Sequence, residues 1–389
     1  MLRWLTAGES HGKALAGILE GMPAGVPVAE TTFQKLLTRR RSGYGRGSRA
    51  ASIERDAVEI LSGIRFGRTI GSPISMVIYN KDYLKHAAAM DLFGPRPEGE
   101  RPVSAPRPGH ADLAGARKYE TGDIRDIRER ASARETAMRC ALSVPARALL
   151  SELGMTSAAF VRRIGTQEAA IPETATVAEL TALIDEVGEG FLTPDPNVVI
   201  PWTLLIDKTR TSGDTLGGEI EVRFDGLPAG LGSHVQADRR LDARLAAILM
   251  GLPGVHAVEI GQAVQQSRLP GSQAHDPIRW DEARGWFRPT NVCGGLEGGM
   301  TNGSQLVVRA VMKPLPGGMP GESPSIEPPH ERVSLNPDRS DTVALAALAV
   351  TAESVLALEL ASAVLAKFGS DTLADVQESL ERYRRSRFA

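Results

Sequence analysis

The chain has 389 residues, 42% hydrophobic and 24% charged, with a formal net charge of −2. That composition is of a soluble globular protein with ample core, and near-neutrality argues against a general nucleic-acid binder, which is more often basic overall. The longest apolar run, Thr342 to Ala352, meets Glu353 well short of a membrane span, so no membrane partner is expected.

Met1 to Thr6 contains no long apolar run, so no signal peptide is expected. Cys140 and Cys293 are isolated and lack zinc or disulfide spacing, which points to no metal and a reducing cytoplasm. The opening reads as a strand, a glycine turn at 8–12 and a second apolar segment from Ala14 to Leu19. Thr32 to Arg40 has the pattern of a short helix that runs into a glycine-broken arginine loop. Alternation at 57–61 and 74–79 predicts two strands. Residues 94–109, rich in Pro and Gly, form a long loop that delivers Arg107 and His110.

Ser132 to Glu135 fits a capping box, opening a helix toward Leu153 with a kink at Pro145. Residues 155–210 are the least informative, with one helix expected from Val177 to Val187. Glu219 to Phe224 alternates as a strand and Asp238 to Met250 has helical spacing. Gln305 to Lys313 alternates over a full strand, which puts Arg309 and Lys313 on one face. Thr342 to Phe368, Ala/Leu-rich, reads as a helix buried on most sides. No linker divides the chain. The expectation is one domain over 1–389, with functional loops at about 39–50, 94–112 and 314–338.

Two arginine-dense segments carry the chemistry, each paired with a histidine in a glycine turn. One joins His11 to Arg39, Arg40, Arg41, Arg46 and Arg49. The other joins Arg107 and His110 to Arg130 and Arg134. Guanidinium groups match carboxylate and phosphate oxygens in forked geometry. Imidazole titrates near neutrality and can hand a proton to a leaving group. Brought together, these groups would hold a small polyanion and do acid–base chemistry on it. The bland alternatives are surface-turn histidines, a solvated basic face, Ser132 as a helix cap, and Asp341 as the N-cap of the last helix.

The motifs GESHG at 8–12, RRRSGYGRG at 39–47, LSGIRFGRTIGSPI at 61–74, RPGHAD at 107–112, RASARET at 130–136, GLGSHVQADRRLDARLA at 230–246, GGLEGGMTNG at 294–303 and RSD at 339–341 resemble the chorismate synthase family, in its order and across nearly the whole chain. The resemblance implies an α+β fold with long core helices sandwiched between two four-stranded antiparallel sheets, assembled as a homotetramer. It implies the 1,4-anti elimination of phosphate from 5-enolpyruvylshikimate 3-phosphate to chorismate, dependent on reduced FMN, with NADPH as a candidate reductant. It further implies that His11 protonates the departing phosphate, that His110 donates a proton to reduced flavin and that Asp341 assists proton removal. Arg40, Arg46, Arg107 and Arg134 would bind substrate. Arg130, Ala131, Ser132, Pro253, Gly254, Gly298, Lys313, Pro314, Leu315, Pro316, Gly317 and Arg339 would contact flavin.

Three segments depart from the family's pattern. Pro253 stands where the family has Asn or Gln and offers neither a backbone N–H nor an amide. Gly317 replaces a Thr or Ser hydroxyl. Thr-Val-Ala-Leu-Ala-Ala follows Asp341 in place of Cys-Val-x-Pro. Two lost hydrogen bonds would weaken flavin by about tenfold to thirtyfold. They keep two alternatives open: a diverged homologue acting on a related phosphorylated enolpyruvyl or ring acid, and a non-catalytic anion-binding scaffold.

Overall fold

Two antiparallel sheets enclose the longest helices of the chain in the computed structural model, which describes residues 2–47, 56–283, 285–316, 321–335, 341–369 and 371–386. The strands used below are β1 (Arg3–Ala7), β2 (Ala14–Glu20), β3 (Val58–Ile60), β4 (Ile74–Tyr79), β5 (Thr156–Ile164), β6 (Gln167–Glu168), β7 (Gly218–Asp225), β8 (Val255–Ile260) and β9 (Leu306–Met312). The longer helices are α1 (Glu30–Arg41), α2 (Asp112–Tyr119), α3 (Arg125–Ala131), α4 (Thr136–Glu152), α5 (Val177–Val187), α6 (Val199–Thr211), α7 (Leu241–Met250), α8 (Leu345–Phe368) and α9 (Leu373–Arg384).

The first sheet has strand order β1-β2-β4-β3 and the second β8-β9-β7-β5-β6. The second therefore has five strands, not the expected four, because the two-residue β6 folds back on the end of β5. Helix α4 packs on β1, β2 and β4, and α8 packs on β5 and β7 and along α4. One continuous apolar core runs through both sheets and both helices.

Local sequence explains the close packing. A Cβ on Gly17 of β2 would stand 2.6 Å from Met138 Cγ, so glycine lets α4 settle onto the sheet. Pro145 lies inside α4, which runs unbroken from Thr136 to Glu152. α8 is buried on nearly all sides, as its composition predicts. It passes the length and hydropathy test for a membrane span, but 94% of that window lies inside the fold, which makes it a core helix.

Of the two acids in α8, Glu353 is fully buried. Burial alone would raise its carboxyl pKa, but Arg147 at 2.9 Å, with Arg39 and the Ser157 hydroxyl, holds it below the ordinary value. In the second sheet the buried Glu221 accepts from Arg223 Nε (2.6 Å), Arg309 Nε (2.7 Å) and Arg162 Nη1 (2.9 Å). Arg309 thus belongs to an ion cluster across β5, β7 and β9. Lys313 lies just beyond β9 and reaches elsewhere.

Candidate active site

The His11 turn is built by β1 and β2. Gly8 (φ 104°) makes the turn, and a Cβ there would press within 2.3 Å of the Ala14 carbonyl oxygen. Asn80, just past β4, pins the loop by donating from Nδ2 to the carbonyls of Gly12 (2.7 Å) and Glu9 (3.1 Å). Glu129 of α3 then takes His11 twice: the backbone N–H at 2.6 Å through Oε2 and ring Nδ1 at 2.8 Å through Oε1. A carboxylate only accepts, so the shared proton sits on Nδ1 and acid–base chemistry by this ring would pass through Nε2.

The second histidine is fixed by the same logic. His110 Nδ1 donates to Asp112 Oδ1 at 2.5 Å, while Asp112 Oδ2 accepts from Arg107 Nε (3.1 Å), the Arg107 backbone N–H (2.9 Å) and Arg128 Nε (3.0 Å). Burial pushes the Asp112 carboxyl up, but the hydrogen bonds from His110 and Arg107 outweigh it and hold the group far below the usual carboxylate range. Arg128 and Glu129 are consecutive in α3, so one helical turn ties the His110 cluster to the His11 loop. His110 does not cap α2, whose N-cap is Ala111 with no side-chain bond.

Arg40 and Arg134 meet at the buried Asp56. Arg134 Nη1 is bonded to Asp56 Oδ1 and its Nε donates to Asn80 Oδ1 at 3.0 Å. Arg40 Nη1 lies 3.8 Å from Asp56 Oδ2, and Arg41 Nε lies 4.0 Å from it. Arg40 also donates to Thr136 Oγ1 and the Ala133 carbonyl, and its buried Nη1 has no hydrogen-bond acceptor among the described residues. Across the two clusters, five guanidinium groups face two carboxylates. That excess suits an anion with two carboxylates and a phosphate.

Arg46 Nη1 bonds Asp341 Oδ2 at 2.5 Å, and the Gly47 N–H bonds Oδ1 at 2.6 Å. Asp341 is therefore tied to the arginine loop; the N-cap of α8 is Ala344. The Thr342 N–H donates to the Gly45 carbonyl and the Leu216 N–H to the Thr342 carbonyl. Thr215 Oγ1 donates to the Leu315 carbonyl at 2.9 Å. These bonds join the loop after β9, with Pro314 and Pro316, to the Asp341 region. Lys313 Nζ donates to the Gly109 carbonyl at 2.6 Å, beside His110, and the Lys313 N–H to the Gly254 carbonyl at 3.0 Å. Pro253 leads into Gly254 ahead of β8.

The Arg130–Ser132 segment corrects one expectation. Arg130 and Ala131 close the C-terminal turn of α3, so no helix N-terminus stands behind them. Arg130 donates to the Thr6 and Gly8 carbonyls. Ser132 caps only the short 3-10 turn Ala133–Glu135, accepting from the Arg134 N–H, and its hydroxyl bonds Ser10 Oγ at 3.2 Å. The capping box does not form, because Glu135 pairs with Arg139 four residues on. Gly298 is not among the residues lining the His11 and His110 clusters described above. It lines a hollow of about 400 Å³ with Asp242, Ile260, Gln266, His275, Cys293, Leu296 and Glu297. A Cβ on Gly298 would meet nothing within 4 Å. Gly317, Arg339 and Arg49 lie outside the described residues.

Sequence reading missed Glu129, Asp112, Asp56 and Asn80. Only Asp112 left a signal, as the acid two positions after His110 in RPGHAD.

A family model described as chorismate synthase matches residues 2–365. The chain is 48% identical to a chorismate synthase of Moorella thermoacetica over 385 residues, covering 99% of this chain and 98% of the relative. It is 44% identical to that of Enterococcus faecalis over 387 residues, covering 98% of each. A solved chorismate synthase crystal structure superposes with a TM-score of 0.79 at 38% identity, covering 98% of this chain and 97% of that one. The chain belongs to the chorismate synthase family.

Proposed function

We propose that this site forms chorismate by 1,4-anti elimination of phosphate from 5-enolpyruvylshikimate 3-phosphate. The observation that carries the reading is the convergence on α3 of two carboxylate-anchored imidazoles, His11 on Glu129 and His110 on Asp112, beside a surplus of guanidinium groups. Arg40, Arg107 and Arg134 would receive the substrate's anionic groups, as would Arg46, which is held on Asp341. His11 would give its Nε2 proton to the departing phosphate, while Glu129 holds the ring by Nδ1 and stabilises the imidazolium. His110 holds a second proton, its ring fixed by Asp112. Asp341, anchored by Arg46 and the Gly47 N–H, supplies the carboxylate that assists removal of the ring proton.

The residues fit reduced FMN in their chemistry. Lys313 brings a cation suited to a phosphate, Ser132 a hydroxyl and Arg130 a guanidinium. Pro253 adds no donor. Held by these residues, reduced FMN would supply transient electron donation with no net redox change. A homotetramer in the cytoplasm, with NADPH or an outside donor as reductant, completes the reading. A diverged substrate or a bare scaffold is less well supported, since relatives of one activity match end to end and both histidines keep their carboxylate partners. An anaerobic assay with reduced FMN and 5-enolpyruvylshikimate 3-phosphate tests it: chorismate absorbance and phosphate should rise together. Flavin binding without turnover would favour the diverged homologue.

A further inference from the structure

Beside His11 lies a group of residues that the elimination does not use. Asp82 is the N-cap of the helical turn Tyr83–His86 and His86 its last residue, and their spacing of four residues puts both side chains on one face. The His86 ring stands 4.3 Å from the His11 ring, centroid to centroid. One ligand atom from each of His11, Asp82 and His86 falls within 4.8 Å of the others.

The two segments that carry these ligands are already locked together. Asn80 bonds the His11 loop through its side chain, and its backbone carbonyl accepts from the Tyr83 N–H at 3.2 Å to start the turn. Asp82 is buried.

We propose that His11, Asp82 and His86 form a site for a divalent cation of the zinc class, and that its occupancy withdraws His11 from acid catalysis. Two imidazoles and one carboxylate are a donor set that zinc accepts, with a fourth position left for water. A tetrahedral ion would bring the ligand atoms to about 3.4 Å from one another, which side-chain rotation of His86 and Asp82 can supply. The outer partner is also present. Glu129 holds His11 Nδ1, as a carboxylate typically holds a metal-ligating histidine, so the metal is taken through Nε2. That is the nitrogen assigned above to the phosphate proton, so the inhibitory half of the proposal rests on the proposed function and the binding half does not. Binding forms three coordinate bonds and displaces any proton on His11 Nε2 to solvent.

The test titrates ZnCl2 into the full chain after chelator treatment, reads free zinc with a chromophoric chelator, and repeats the titration with cobalt(II) to record its visible d–d absorption. One equivalent should bind. His86→Ala and Asp82→Asn should each weaken binding by at least about tenfold and remove the cobalt band, whereas Cys293→Ser should retain both. His86→Gln serves as the second variant if His86→Ala melts early. Under assay conditions zinc should suppress phosphate release, a chelator should restore it, and His86→Ala should resist. Absence of a stoichiometric equivalent, or unchanged zinc affinity in His86→Ala and His86→Gln, overturns the site. Zinc bound there with undiminished turnover overturns the inhibition and, with it, the role of His11. A protein that never turns over without zinc overturns the enzymatic reading, while zinc uptake still decides the site.

Discussion

Glu129 holds His11 at two points, the ring Nδ1 at 2.8 Å and the backbone N–H at 2.6 Å, across 118 positions of sequence. A ring so held can present Nε2 in one direction only, and the carboxylate stabilises the imidazolium that carries the proton before it is handed over. Glu129→Ala should therefore lower kcat by roughly tenfold to a hundredfold with KM little changed. Glu129→Gln should lose less, because its amide oxygen can still accept from Nδ1. Steady-state kinetics of the two variants check this.

Arg134 and Asp56 make a prediction with two readouts. Arg134→Ala leaves the Asp56 carboxylate buried with less counter-charge, which should cost about 3 kcal/mol of stability. It should also raise KM for the anionic substrate. The double variant Arg134→Ala/Asp56→Asn should recover stability but not KM. Thermal melts and kinetics on all three proteins separate the structural effect from the binding effect.

Asp112 predicts a pH dependence. Its folded-state pKa is depressed, since His110 and Arg107 outweigh the opposing effect of burial, so its stabilising contribution is fully present above the unfolded carboxylate pKa, about 3.9. The contribution is lost as pH falls through the folded value. Asp112→Asn should thus be less stable than the parent at pH 7 and approach it in the acid range. Denaturant midpoints measured from pH 7 downward give the curve, and a constant gap would contradict it.

Cys293 should be a slow thiol. Burial, together with the neighbouring Asp276 carboxylate, pushes its pKa up to about 11. Cys140 is fully buried and raised as well. A disulfide reagent at neutral pH should label the native chain far more slowly than the denatured one, which should show both thiols at once.

The elements that the sequence revealed are those whose pattern one segment contains. The hairpin of β1 and β2 alternates along each strand, α5 lies where its periodicity put it, and α8 is apolar all round because it is buried all round. β5 was hidden because its middle residues, Ala158 to Val161, are buried on both faces and do not alternate. α6 was hidden by Pro201 in its first turn, which reads as a break yet is tolerated there. At the site, the histidines and arginines stand out by type and by their glycine neighbours. Their partners do not: Glu129, Asp56 and Asn80 acquire meaning only when chain folding sets them against His11 and Arg134.

The central claim is that His11 gives up the proton that lets phosphate leave. The measurement that bears on it most directly is anaerobic phosphate release by His11→Ala with reduced FMN, alongside flavin binding by the same protein. Release should fall at least about a hundredfold while flavin binds as it does to the parent. Release at the parent's rate, with flavin bound, would contradict the account.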